Sequence, residues 1–261
     1  MDVRLRRGYW RLVREHMNAN PDQAAGPKAM QDQAQSFACT QGLWRFLANE
    51  NVTLPQLVVP LREYGRRGLA EDQSGYVLLA HDWSKLAYRG HAAKTDQTQL
   101  TGSDDRGYDL DTALLISAEN GQPLAPMSLE LLAADGVHST QHDRRSERTH
   151  HLQQLFPVMQ ASDNWNLSAR IVHVIDREAD AAAHFREWSA AGKQFLVRAD
   201  FTRKVDWQGG LSSLSDLVQE LDQQGLFEGA GEVAVARVGV RSPPQRLSFR
   251  VPLENEPLRV A

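Results

Sequence analysis

Two short apolar runs, each ending on an aspartate, constrain this chain more than any other feature in it. Tyr76-Val77-Leu78-Leu79-Ala80-His81 stops at Asp82, and Ile171-Val172-His173-Val174-Ile175 stops at Asp176. Both runs have the composition of buried strands, and each gives way to a polar loop. Carboxylates at two strand tips point to a metal site, because hard divalent cations such as Mg²⁺ prefer oxygen ligands. For Asp176 an acidic cap on the following helix is the plainer alternative, and Glu178 and Asp180 fit a helix N-terminus through the macrodipole.

The segments around these runs predict an α/β fold. Strands are expected over Tyr76 to His81, Leu110 to Ala118, Ala125 to Leu132, Ala169 to Ile175 and Gln194 to Ala199. The turn Glu119-Asn120-Gly121-Gln122 carries the Asn-Gly hairpin signal, which makes the second and third strands antiparallel neighbours. Helices are expected over Ser146 to Met159 and over Ala179 to Ala191, the latter ending at Gly192. Strands alternating with helices in this way belong to a mixed α/β domain.

Upstream, residues 1–70 read as a helical module. Leu43, Trp44, Phe46 and Leu47 recur at helical spacing, and Thr53 with Pro55 marks a helix start ahead of Leu57, Val58 and Leu61. Downstream, residues 206–261 begin with a helix over Leu211 to Leu221. Alternating Val233, Val235, Val238 and Val240, then Leu247, Phe249 and Val251, mark half-exposed strands of a β-rich subdomain. The alternation still runs at Leu258-Arg259-Val260-Ala261.

Composition excludes several classes. No run approaches the roughly 20 apolar residues of a membrane span, and Met1 to Arg14 lacks the apolar core of a secretory signal, so a cytoplasmic location is expected. A lone cysteine, Cys39, rules out an internal disulfide or a cysteine-based zinc cluster and reads as a small buried hydrophobe. The net charge of −4 argues against a uniformly basic nucleic-acid binder. Its distribution is uneven, with Arg4, Arg6, Arg7, Arg11 and Arg14 at the start, Arg144, Arg145 and Arg148 in a second cluster, and Arg198, Arg203 and Lys204 in a third. Solvated surface is the competing explanation for each cluster. His138, His142, His150 and His151 lie near Asp135 and Asp143 without regular ligand spacing, and Gly102 to Gly107 contains no phosphate-loop lysine.

Asp82 with Leu86-Ala87-Tyr88-Arg89, Arg106-Gly107, Val174-Ile175-Asp176-Arg177-Glu178-Ala179-Asp180 and Phe195-Leu196-Val197-Arg198 together resemble the transposases of the IS4 group. Gly42-Leu43-Trp44-Arg45-Phe46-Leu47 with Asn49-Glu50-Asn51-Val52 resembles the end of that group's N-terminal DNA-binding module. The resemblance spans roughly residues 30 to 250, and the Asp-Arg-Glu-Ala-Asp segment is its most specific part.

It implies an RNase H-like mixed sheet over residues 71–205, preceded by a helical DNA-binding module over 1–70 and followed by the start of a β-rich insertion over 206–261. The implied activity is cut-and-paste transposition, in which Asp82 and Asp176 hold Mg²⁺ or Mn²⁺ for cleavage and transfer at transposon ends. Arg198 matches a position that contacts DNA near the cleavage site, with a strand-end arginine paired to a surface acid as the alternative, and Arg4, Arg6, Arg7 and Arg11 are the other expected DNA contacts.

The group's third acid, a glutamate in a Tyr-x-x-Arg-Glu-x-x-x-Lys-like helix, has no counterpart among residues 177–261. Glu254 and Glu256 are bracketed by Pro252 and Pro257 and do not match it. The expectation is therefore a C-terminally truncated transposase that is inactive alone. The alternative is a non-catalytic DNA-binding regulator that occupies transposon ends or blocks the full-length transposase. A hydrolase acting on a glycosidic bond through the two aspartates alone has nothing further in its favour.

Overall fold

The computed structural model describes residues 1–19, 33–88, 90–91, 93–102, 104–143, 147, 151–207, 209–223, 227–235, 245–252 and 259–260. The chain forms two compact units: residues 1–175 with 193–196, and residues 176–192 with 197–261.

The first unit opens with three helices, α1 (Val3–Ala19), α2 (Gln33–Leu47) and α3 (Leu54–Leu69). On α1 the residues Leu5, Tyr9 and Leu12 fall on one face and pack with Cys39, Leu43 and Phe46 of α2, while Arg4, Arg6, Arg7 and Arg11 are exposed. Cys39 is buried as expected, and its thiol donates to the Glu15 carboxylate at 3.2 Å. Thr53 precedes α3 in extended backbone, yet its hydroxyl makes no capping bond. Pro55 has no N–H to offer, and the N–H of Gln56 is taken by the Thr53 carbonyl at 3.1 Å.

The sheet of this unit comprises β1 (Tyr76–Ala87), β2 (Thr98–Gln99), β3 (Arg106–Ser117), β4 (Pro123–Ala133), β5 (Gly136–Ser139), β6 (Arg170–Ile175) and β7 (Gln194–Val197). The strand order is β5-β4-β3-β1-β6-β7, with β2 pairing beside β3. β1, β3, β4 and β5 form an antiparallel meander, and β6 then runs parallel to β1. This is the RNase H-like order. The hairpin is closed by Gly121 at φ +73°, a left-handed conformation that glycine adopts without strain.

One face of the sheet carries the core. Val77, Leu79, Ala113, Leu115, Ala125 and Met127 pack with Leu69 of α3, with Val158 of α4 (His151–Ser162) and with Trp165. Arg62 donates to the Met127 carbonyl at 3.0 Å and Arg66 to the Trp165 carbonyl at 2.9 Å, so α3 is tied to the sheet and to the loop that feeds β6. The expected helix start at Ser146 lies outside the described residues.

In the second unit a 3-10 turn (Arg177–Ala179) precedes α5 (Ala182–Ala190), which is shorter than expected and is followed by Gly192 at φ +68°. The helix expected over Leu211 to Leu221 is present but starts later, as α6 (Leu214–Gln223), because Leu211 to Ser213 belong to β9 (Gly210–Ser213), which forms a hairpin with β8 (Lys204–Trp207). Leu211 is exposed on β9, whereas Leu217 and Leu221 share the buried face of α6 with Val205. The β-rich segment is present as the antiparallel pair β10 (Phe227–Val235) and β11 (Gln245–Pro252), and β12 (Arg259–Val260) pairs with β8. Val238 and Val240 lie outside the described residues. No described helix is long and apolar enough to cross a membrane.

β1 is twice the length read from sequence, because Asp82-Trp83-Ser84-Lys85 continues the ladder opposite Asp109 to Thr112 instead of forming a loop. This extension depends on Gly107, where an added Cβ would lie 1.9 Å from the Leu86 carbonyl oxygen. Gly107→Ala is therefore expected to cost about 3 kcal/mol by forcing backbone apart, against about 1 kcal/mol for Gly121→Ala, which only strains φ. Denaturant titrations of both variants check the ranking, and equal midpoints would contradict it.

Candidate functional site

Alternation along β1 sorts its side chains. Val77, Leu79 and His81 point into the core, while Leu78 and Ala80 lie half-buried on the opposite face. Asp82 belongs to that second face and is exposed. It sits opposite Thr112 of β3, and the Ser84 hydroxyl donates to its Oδ2 at 3.3 Å. Asp82 is therefore within a strand and not at its tip, as the sequence had suggested. With respect to β6 it does lie at an end, since the parallel pairing stops at Ala80 opposite Val174.

Asp176 is the first residue of the second unit and follows β6 directly. Its Oδ1 accepts the Glu178 N–H at 2.8 Å, so it caps the 3-10 turn as the plainer alternative proposed. That bond engages one of its two carboxylate oxygens. By chain count each aspartate stands two positions beyond the last paired residues of its strand, Ala80 and Val174.

Asp180 has a different role from the one expected. It does not serve a helix N-terminus: α5 begins at Ala182, and the Asp180 carboxylate instead accepts the Asp200 N–H at 2.7 Å. Its Oδ1 lies 2.6 Å from Nε of Arg203, too poorly aligned for a hydrogen bond yet close enough for an ion pair. Arg203 therefore anchors the second unit internally, whereas Arg198 and Lys204 are exposed. On α1, Arg4, Arg6 and Arg7 are exposed and Arg11 makes a long ion pair with Glu15 at 3.9 Å. Arg144, Arg145 and Arg148 lie outside the described residues.

Beneath Asp82 the core is polar, which the sequence reading missed. His81 and His173 are buried, with Nε2 of one 3.0 Å from Nδ1 of the other. Burial pushes their pKa values down to about 3 and about 4, so both rings are neutral and one donates to the other. One step along the sheet, Trp83, Asp111, Glu130 and Ser139 form a row across β1, β3, β4 and β5. The available signal was parity: Asp111 is in phase with Ala113 and Leu115, which face the core. Among the described residues no three histidine, cysteine or acidic side chains gather in a way that could hold a metal ion. His138 pairs with Asp135 at 3.2 Å instead of joining a zinc cluster.

Neither protein-family models nor curated proteins match this sequence. Solved structures do. An endonuclease V from Ciona intestinalis, in complex with DNA containing an inosine, aligns with 64% of this chain and 62% of its own at 8% identity and a TM-score of 0.28. The Drosophila P element transposase strand transfer complex aligns with 81% and 52% at 10% identity and a TM-score of 0.29. The Mos1 strand transfer complex aligns with 73% and 59% at 12% identity and a TM-score of 0.24. The chain thus spans less than two thirds of each of these proteins. Such loose superpositions leave the fold assignment resting on the strand order itself.

The histidine pair gives the core a pH dependence of definite sign. Each folded pKa lies below the ordinary 6.5, so the folded state binds fewer protons than the unfolded chain, and stability present above pH 6.5 is lost as pH falls toward about 4. His173→Gln is expected to flatten the fall in unfolding midpoint between those values. An unchanged slope in the variant would show that the pair is not its source.

Proposed function

We propose that this chain is a cut-and-paste DNA transposase of the IS4 type, with residues 71–205 as its catalytic core and residues 1–70 as a DNA-binding module. The observation that supports this most is the parallel pairing of β1 with β6, in a register that leaves Asp82 and Asp176 each two positions beyond a paired residue. Strand connections of this kind carry two carboxylates toward one end of a sheet from distant parts of the chain.

The donor set fits a hard divalent cation. Asp82 is exposed and lightly hydrogen-bonded, and Asp176 keeps one oxygen uncommitted by its cap. In this account Asp82 and Asp176 would hold Mg²⁺ or Mn²⁺, which supplies activation of an attacking oxygen and stabilisation of the leaving oxygen of a phosphodiester. The capping bond from the Glu178 N–H orients the Asp176 side chain, and the ladder to β3 holds the Asp82 backbone opposite Thr112. Arg198 and the exposed arginines of α1 supply cationic contacts to the DNA backbone.

In a second reading the chain occupies transposon ends through the exposed arginines of α1 without cutting them, or restrains a full-length transposase. The two readings share the DNA contacts and differ in whether strand cleavage occurs.

Terbium luminescence sensitised by Trp83, next to Asp82, tests the metal site. Asp82→Asn and Asp176→Asn are each expected to weaken Tb³⁺ binding by at least about tenfold, and binding untouched by both changes would refute the assignment. Replacing Arg4, Arg6, Arg7 and Arg11 by alanine is expected to weaken binding to terminal-repeat DNA and to reduce the slope of log affinity against log salt by about 3. A slope equal to that of the unaltered chain would remove α1 from the interface.

A further inference from the structure

The sheet buries two carboxylates that the proposed chemistry does not use. Asp111 on β3 and Glu130 on β4 are direct cross-strand partners, 4% and 5% exposed. Partners in such positions hold their Cβ atoms about 5 Å apart on the same face. A cavity of about 10 Å³ lies beside them, lined by Trp83, Asp109 and Gln154 as well, with room for one water at most. The Ser139 hydroxyl donates to Glu130 Oε1 at 2.8 Å, while Oε2 of Glu130 and Oδ1 of Asp111 are buried without a hydrogen-bond partner.

Two ionised carboxylates cannot share this position cheaply, since each would be desolvated beside a like charge. Among the described residues, the charges acting on Asp111 are Glu130, Asp109 and Asp82, all negative, and the cation-forming group acting on Glu130 is His142. A proton on either carboxyl removes the repulsion and turns an orphaned acceptor into a donor.

We infer that Asp111 and Glu130 form a proton-dependent latch on the β3–β4 pair: the folded core keeps a proton on this pair, and removing it weakens the sheet beside the strand that carries Asp82. Burial first, and Glu130 next, push the Asp111 carboxyl up to about 8, and burial also raises Glu130. A folded pKa above the ordinary 3.8 means that the folded state binds more protons than the unfolded chain. The contribution is therefore fully present below about 3.8 and is lost as pH rises through about 8. Its direction is opposite to that of the histidine pair.

The experiment is a denaturant titration of the intact chain at several pH values. The unaltered chain is expected to lose at least about tenfold in its folding equilibrium constant between pH 6 and pH 8.5. Glu130→Gln, which removes one charge and offers an amide donor while burial still acts on Asp111, is expected to lose several-fold less than the unaltered chain over the same range. A slope in Glu130→Gln equal to that of the unaltered chain would overturn the proposal. Carbon-13 NMR of labelled carboxyl groups in the unaltered chain keeps the test open if the variant fails to fold. One aspartate or glutamate carboxyl still protonated at pH 7 supports the latch, and titration of every carboxyl below pH 6 overturns it.

Discussion

The pairing of β1 with β6 is the contact on which this structure depends. The β1–β3, β3–β4 and β4–β5 ladders run antiparallel between segments close in sequence. The β1–β6 ladder instead joins Tyr76–Ala80 to Arg170–Val174 across the whole meander and α4. Its closure entropy has to be met by burial, and the apolar cluster of Leu69, Val77, Leu79, Leu115, Met127, Val158 and Trp165 provides that on one face. Arg66 adds a direct tie from α3 to the Trp165 carbonyl, in the segment that delivers the chain to β6.

At the Asp82 end of the sheet the interior is polar. His81 and His173 span the β1–β6 junction, and Asp111 and Glu130 span β3 and β4. Hydrocarbon side chains would pack more simply in those positions. The pairs titrate in opposite senses, the histidines favouring the fold above pH 6.5 and the acids favouring it below about 8. The structure around Asp82 is thus held within a window of pH, while the apolar end near Val77 and Leu115 is indifferent to it.

Local features were legible in the sequence. The Asn120-Gly121 turn specifies its hairpin because the left-handed turn is a property of those residues alone, and Val77 to Ala80 and Ile171 to Ile175 declare themselves as strands by composition. The polar half of β1 was not legible. Asp82 to Lys85 looks like a loop, and only pairing with Asp109 to Thr112, made possible by the bare Cα of Gly107, keeps it extended. The short strands β2, β5, β8 and β9 escaped for a related reason, since two to four residues carry no period. Asp176 was legible both as cap and as candidate ligand, and the cap is what the structure displays. The burial of Asp111 and Glu130 was hidden because acidic residues are read as surface unless strand parity is followed through them.

The proposal that Asp82 and Asp176 serve one cation can be decided by anomalous diffraction from crystals of the intact chain soaked in Mn²⁺. A single strong peak is expected within about 2.5 Å of an oxygen from each aspartate. A peak held by one of them alone, or none at either, would contradict it.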